Sequence, residues 1–458
     1  MRRTLLTGLT VIVTVLAAAS GAWAQGYGVY EQSACVMGRG GTGVAAPCPD
    51  GSSIYYNPAA IAFVQGQELG LGGSIIGPRG DFTNSTTGLV SSLNDKYYPV
   101  PHFFYAQNVG TRFAAGVGLF APYGLTTDWP DTSEGRFLGY KSLVQGIYTQ
   151  PTLAVRVNDK VAVGLGVDIT YLNVELRQRV DLSQQFVAPG VPFSALGVRP
   201  GADFADVDLK GHAWHVGFNA GVQVKANDLV SFGARWMSGQ RVDVTNGDFK
   251  TTQIMTGLRT PIPLGPTIPA GTPLDALLAP QFASGGSLSN QTASTQLPLP
   301  DQVVAGVAIQ ATPKLKLLAD YQFVRWSMFD QLAINKQYGS PVVLYESYND
   351  TSGVRIGAEY AITSATTVRG GFIANQAAAP DQSVTPNLPE ASRKQFSVGI
   401  GNQFGKSVRF DAYYLFLDQS DRAGRTVNGP TIPPTAAANN GTYHFLANLF
   451  GAMLAFRF

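Results

Sequence analysis

Of 458 residues only 14% are charged, whereas 52 are glycine and 11% are aromatic. A formal net charge of +2 argues against nucleic acid as a partner, and beyond the N-terminus no apolar run is long enough for a membrane-spanning helix. Sparse charge, abundant glycine and aromatics, and no linker or composition break point to a single transmembrane β-barrel.

The chain opens Met1-Arg2-Arg3, is apolar over residues 5–19, and reaches Ala22-Trp23-Ala24. A basic start, a short apolar stretch and a small-residue cleavage site predict a secretory signal peptide over residues 1–24, with a mature chain outside the cytoplasm. The only cysteines, Cys35 and Cys48, follow closely. In an exported protein the default is a disulfide between them, stabilising by about 3 kcal/mol through loop entropy. No histidine lies near the pair, so neither a metal site nor a cofactor is expected there. Gly38-Arg39-Gly40-Gly41-Thr42-Gly43 matches the dinucleotide spacing G-x-G-x-x-G, but no strand precedes it and no helix follows. Its glycines are better read as letting the segment fold compactly. At Asn57-Pro58-Ala59 the proline ring pushes Asn57 out of helical geometry, giving a turn flanked by Tyr55, Tyr56 and a small apolar run.

From Gln67 the period becomes two. Over residues 161–171 the odd positions are large and apolar (Val161, Val163, Leu165, Val167, Ile169, Tyr171) and the even ones small or polar. The alternation recurs over residues 303–310, 354–361, 408–416 and 444–458, the last ending on Phe458. The apolar set is expected to face lipid and the rest the lumen, where Asp320, Arg355, Glu359, Arg369, Arg409 and Asp411 pair. Fourteen strands are predicted, beginning near residues 67, 101, 112, 142, 160, 211, 229, 300, 314, 353, 365, 394, 406 and 444. Tight turns such as Asn158-Asp159, Asn227-Asp228, Thr312-Pro313 and Gly405-Lys406 lie on one side. Long connections at 181–210, 247–299 and 421–443 lie on the other, placing both termini in the periplasm.

Three features bear on function. The two longest outer loops are apolar (Phe186, Phe193 and Leu196; Ile262, Leu274 and Leu278), as expected of a binding surface or of loops packed on each other. In the fifth strand the lumen-facing series continues through Leu172, Val174 and Leu176, with Arg177 and Arg179 just beyond, a combination suited to a fatty carboxylate. The third strand contains Gly116, Gly118, Pro122 and Gly124, which mark a bulge or kink and a possible sideways opening. No G-x-S-x-G is present and the four histidines show no nucleophile partner, so an enzyme is not expected. A general diffusion porin is the competing barrel reading.

Gly38-Arg39-Gly40, Asn57-Pro58-Ala59, Pro101-His102-Phe103, Tyr123-Gly124-Leu125, Gly164-Leu165-Gly166, Trp214 with residues 217–221, and Trp326-Ser327 with Phe329 occur in an order spanning the mature chain. On these the chain resembles the FadL-type family of outer-membrane long-chain fatty-acid transporters, which also includes importers of aromatic hydrocarbons. The resemblance implies an all-β fold, a fourteen-stranded antiparallel barrel (67–458) plugged by an N-terminal hatch (25–66), in the bacterial outer membrane. It makes Asn57, Pro58 and Ala59 the hatch turn, places Pro122, Tyr123 and Gly124 at a lateral gap, and puts Tyr27 in an internal pocket. It further implies capture at the outer loops, hatch movement, and passive lateral release of a hydrophobic small molecule into outer-membrane lipid. The family's carboxylate-binding basic position falls near Gln178, flanked by Arg177 and Arg179, with Lys336 a second candidate. No cofactor is implied, and the barrel is expected to act as a monomer.

Overall fold

The structure, a computed structural model, describes residues 26–188, 191–424 and 439–458; the expected signal peptide lies outside them. Fourteen antiparallel strands close into a barrel. They are β1 (Gln67–Asn84), β2 (Tyr98–Val109), β3 (Phe113–Asp128), β4 (Lys141–Arg156), β5 (Val161–Asp181) and β6 (Asp203–Lys225). Next come β7 (Val230–Met237, continuing as Gln240–Gln253), β8 (Gln291–Leu299, continuing as Gln302–Gln310), β9 (Leu315–Val324, continuing as Gln331–Lys336) and β10 (Val342–Tyr345, then Thr351–Ala361). β11 (Thr366–Asn375), β12 (Arg393–Phe404), β13 (Val408–Ala423) and β14 (Gly441–Arg457) complete the wall. Each strand pairs with its neighbours in sequence, and β14 returns to β1, in register from Glu68 opposite Arg457 to Asn84 opposite Gly441. Closure leaves neither the first nor the last strand of the barrel as a free edge.

The turns at the end bearing Gln67 and Phe458 are tight because their residues build them. Asn158 Oδ1 accepts the N–H groups of Lys160 and Val161, both at 2.9 Å, and Asn227 does the same for Leu229 and Val230. Leu165, Ile169, Trp214, Phe218, Phe232, Val398 and Phe450 are exposed on the outside of the wall, as an apolar band facing hydrocarbon requires. Strand starts agree with the sequence reading except at the outer rim, where β6 begins at Asp203, β8 at Gln291 and β10 at Val342.

The segment from Gly26 to Gly66 lies inside the barrel. It contains two short helices, α1 (Ala34–Met37) and α2 (Ser53–Tyr56), and a 3-10 turn at Pro58–Phe63. Nearly all of its residues are buried. Above the opposite mouth, Leu182, Phe193 and Leu196 of one long connection bury themselves against Leu274, Leu278 and Leu288 of the next, where α3 (Leu274–Phe282) sits. Of the two readings of these apolar loops, mutual packing takes up much of the surface, while Phe186 and Ile262 remain exposed.

Candidate functional site

The hatch turn is clamped by polar side chains from the wall. Asn57 caps the Pro58–Phe63 turn, its Oδ1 accepting from Ala59 N–H at 3.2 Å. Its Nδ2 is shared among Val44 O (2.8 Å), Val222 O (3.0 Å) and Gln223 Oε1 (3.0 Å). Gln150 Nε2 donates to Ile54 O at 2.9 Å, Asn219 Nδ2 to Tyr55 O at 3.2 Å, and Arg235 Nη1 to Tyr55 O at 3.1 Å. The Arg235 guanidinium also lies 4.6 Å from the Tyr55 ring centroid. These bonds compensate backbone carbonyls that would otherwise be buried unpaired. Burial pushes the Tyr55 and Tyr56 hydroxyls up, so both are neutral near physiological pH. The wall comes this close because it carries glycine: a Cβ at Gly164 would lie 2.5 Å from Ala59 N, and one at Gly221 only 2.2 Å from Asn57 Oδ1.

Toward the periplasmic end, Cys35 and Cys48 form a disulfide with Cα atoms 6.3 Å apart. The glycine run serves backbone approach: Gly40 has φ +68°, and a Cβ there would meet Ile356 O at 2.6 Å. Between them, Arg39 reaches Glu359 at 3.0 Å. The chain of pairs continues through Arg369 (2.9 Å to Glu359, 2.7 Å to Asp411) and Arg409 (2.8 Å to Asp411). Glu359, Arg369, Arg409 and Asp411 thus pair as expected, whereas Asp320 turns to the hatch and accepts Gly43 and Val44 N–H at 2.9 and 3.2 Å, and Arg355 donates to Gln322 instead of to an acid. Replacing both cysteines by serine should cost the hatch about 3 kcal/mol. Limited proteolysis of the folded barrel should then cut within residues 34–50, where the parent resists.

The third strand is broken as its sequence suggests. Pairing between β2 and β3 runs from Val109 opposite Phe113 to Phe103 opposite Leu119 and stops. On its other edge β3 follows β4 to Lys141, with an extra residue inserted between Phe120 and Tyr123. β2 carries Pro99 and Pro101 here, so two N–H donors are missing. At the outer rim the β1–β2 connection meets β3, where Asn94 N–H donates to Asp128 O at 2.8 Å. This leaves a window in the wall. Its inner side is bridged by the N-terminal segment: Val29 N–H donates to Pro122 O and Gly124 N–H to Tyr27 O, both at 2.9 Å. Gln32 Nε2 adds a bond to Ala121 O at 2.8 Å.

Two cavities flank that bridge. One, of about 480 Å³, spans the window and is lined by Val100, Leu119, Tyr123, Ile147, Glu31 and Arg355 among others. The second, narrower at about 70 Å³, lies toward the outer mouth, lined by Tyr27, Val174, Leu176, Leu297, Leu332 and Ile334 among others. Leu125, Leu143 and Val144 line both. Residues 26–28 also divide between them, Tyr27 facing the outer cavity and Gly26 and Gly28 the window. Tyr27 is packed edge-on against Trp326 (4.6 Å between centroids) and Phe329 (5.9 Å), with its hydroxyl donating to Pro298 O.

The expected cations fall differently. Leu172 is fully buried, and Val174 and Leu176 line the outer cavity. Arg177 and Arg179 line neither cavity: their odd positions put them on the opposite face of β5. There Arg177 Nη2 bonds Asp206 at 3.1 Å, and Arg179 pairs with Asp131 and Asp206 at 2.5 and 3.6 Å. Lys336 shares a strand face with Leu332 and Ile334 of the outer cavity, and its Nζ lies 3.5 Å from Ser287 O. Sequence reading missed Glu31 and Arg393 at the window, and gave Arg355 only a pairing role.

A family profile for outer membrane protein transport proteins (OMPP1/FadL/TodX) matches residues 15–458. The chain belongs to this family. It is a transport protein of the bacterial outer membrane for hydrophobic compounds, not an enzyme. A long-chain fatty acid transport protein of Escherichia coli is 24% identical, over 90% of each chain. Outer membrane protein P1 of Haemophilus influenzae is 25% identical over 97% of each. Among solved structures, a Pseudomonas aeruginosa FadL homologue superimposes with a TM-score of 0.80 at 19% identity, covering 95% of this chain and all of that one. The Ralstonia pickettii toluene transporter TbuX gives 0.63 at 22%, over 94% and 99%. These likenesses bear out the barrel, the hatch and the location expected from sequence.

Proposed function

We propose that the protein takes up long-chain fatty acids passively, capturing them above the outer cavity and releasing them sideways through the β2–β3 window. The observation that carries this reading is the position of residues 26–28. They separate the two cavities and, with Val29 and Gln32, supply the hydrogen bonds that the broken β3 lacks. Withdrawal of this short segment joins the outer cavity to the window, so displacement of the hatch N-terminus by substrate is a sufficient gate. Asn57, Pro58 and Ala59 hold the remainder of the hatch in place, and Pro122, Tyr123 and Gly124 frame the exit. The domain division follows: hatch over residues 25–66, barrel from 67. Lys336, at the rim of the apolar outer cavity, is the carboxylate partner at capture, in preference to Arg177 and Arg179, whose charges are taken up by acids.

Fatty acid, rather than aromatic hydrocarbon, is supported by the elongated apolar route with cations at intervals and by the name of the Escherichia coli relative; the toluene transporters of the same fold keep the other substrate class in view. The test is a titration of the purified barrel with oleate and with toluene. Oleate should bind, and Lys336→Met should weaken it by about tenfold, as loss of one charge-assisted bond predicts, while leaving toluene unchanged. Preference for toluene, indifferent to Lys336, would reassign the substrate.

A further inference from the structure

The charge chemistry of the window cavity is unusual for a passage through which an apolar chain slips. Arg355 is completely buried, and among the described residues its Nε and Nη1 have no hydrogen-bond partner. Its Nη2 donates to Gln322, and the guanidinium carbon lies over the Tyr30 ring, 3.6 Å from the centroid. The acid opposite it on β9, Asp320, is occupied by two hatch N–H groups. Arg393 lines the same cavity and bonds only neutral groups among those described, Gln419 Oε1 at 3.2 Å and Gly26 O at 3.3 Å. Among the described lining residues the one acid, Glu31, accepts Tyr30 N–H at 2.8 Å. Burial pushes the Glu31 carboxyl up, opposed by that N–H and by Arg393 and Arg355. A buried guanidinium with unused donors is costly unless an anion completes it.

Resting on the transport reading above, we infer that the window cavity is an anion-reading station. Arg355, helped by Arg393, binds the carboxylate headgroup of an amphipathic ligand whose apolar chain lies along Val100, Leu119 and Ile147 toward the membrane, and Glu31 competes with that headgroup. The apolar walls take the chain whatever its headgroup, so the arginines are what separate a carboxylate from a neutral lipid. Arg355 is also wired to the window: Gln322, its partner, donates to Gln302 Oε1 at 3.1 Å, and Gln302 Nε2 donates to the Tyr123 hydroxyl at 2.9 Å. Headgroup binding therefore acts on the residue that frames the exit.

The test uses the full mature barrel in detergent with a long-chain carboxylate carrying a diazirine beside its headgroup, and the matching alcohol. Photolysis of the wild type with the carboxylate should label residues around 31, 355 and 393. Arg355→Gln should reduce that labelling by about tenfold, the worth of one charge-assisted contact, and Arg355→Lys should restore part of it. Glu31→Gln, which leaves Arg355 untouched and so serves if Arg355→Gln does not fold, should increase it. Alcohol labelling should respond to neither change. Carboxylate labelling confined to the outer cavity, or insensitive to both substitutions, would overturn the station while leaving transport standing. No labelling of the lumen by either probe would overturn the transport reading as well.

Discussion

Deleting Pro122 should bring uptake of oleate by vesicles containing the assembled barrel down to the background of protein-free vesicles, while oleate binding in detergent persists. The reason is register. Between the pairs Phe120–Tyr148 and Tyr123–Gly146, β3 advances three residues and β4 two. Removing one residue erases the bulge, keeps Phe120 and Tyr123 on the lumen side, and lets β3 continue straight beside β2. The carbonyl held by Val29 leaves with Pro122, the groups of Gly124 and Ala121 now taken by Tyr27 and Gln32 become available to the wall, and the window closes. Heat-modifiable migration on gels checks that the barrel still forms. Uptake at the parental rate through a closed wall would mean that substrate leaves by another path, through the lumen to the periplasm.

The second large effect is expected at Gly164. A Cβ there would stand 2.5 Å from Ala59 N and from Pro58 C, both backbone atoms with nowhere to go. Overpacking typically costs about 1–3 kcal/mol, and each buried hydrogen bond lost about 1 kcal/mol more. Gly164→Val cannot keep the Asn57 turn seated, because Val222, Gln223 and Val44 all bond to the displaced side chain. In planar bilayers the parent should be nearly silent, whereas the variant should show porin-like steps of ion current. A silent variant would mean that the seal does not depend on the turn. A conducting parent would favour the general porin.

The wall was readable in the sequence wherever one face met lipid, because hydrocarbon enforces a strict alternation. Val161 to Tyr171 and His444 to Phe458 show it plainly. It faded where the wall rises beyond the membrane. Residues 203–210 and 291–299 turn Leu209 and Leu297 inward to the outer cavity and the polar Lys210, Thr292 and Gln296 outward, so the apolar outer band is missing and the sequence reads as connection. Parity also held information about Arg177 and Arg179: they share the odd phase of Tyr171, which already sets them on the face away from Leu172. The bulge at Pro122 announced itself through proline and glycine, but its partners could not be inferred, since nothing in Tyr27 or Val29 marks them as surrogate strand. For Arg355 alternation indicated the lumen and no more. Whether a lumen arginine finds an acid or is left open to a cavity depends on which hatch groups have already claimed Asp320, a matter of three-dimensional packing.

The pairing of β14 with β1 fixes an order of events during biogenesis. The segment from Gly26 to Gly66 ends up enclosed, yet the cylinder cannot be sealed until the last strand arrives to zip onto the first. The N-terminal segment must therefore be gathered between the growing walls beforehand, like cargo stowed before a hull is welded. Loop 35–48 is small enough to be oxidised before that moment. A tag fused ahead of Gly26 would have to be stowed too, so affinity handles belong in the outer connections, where added length stays in solvent.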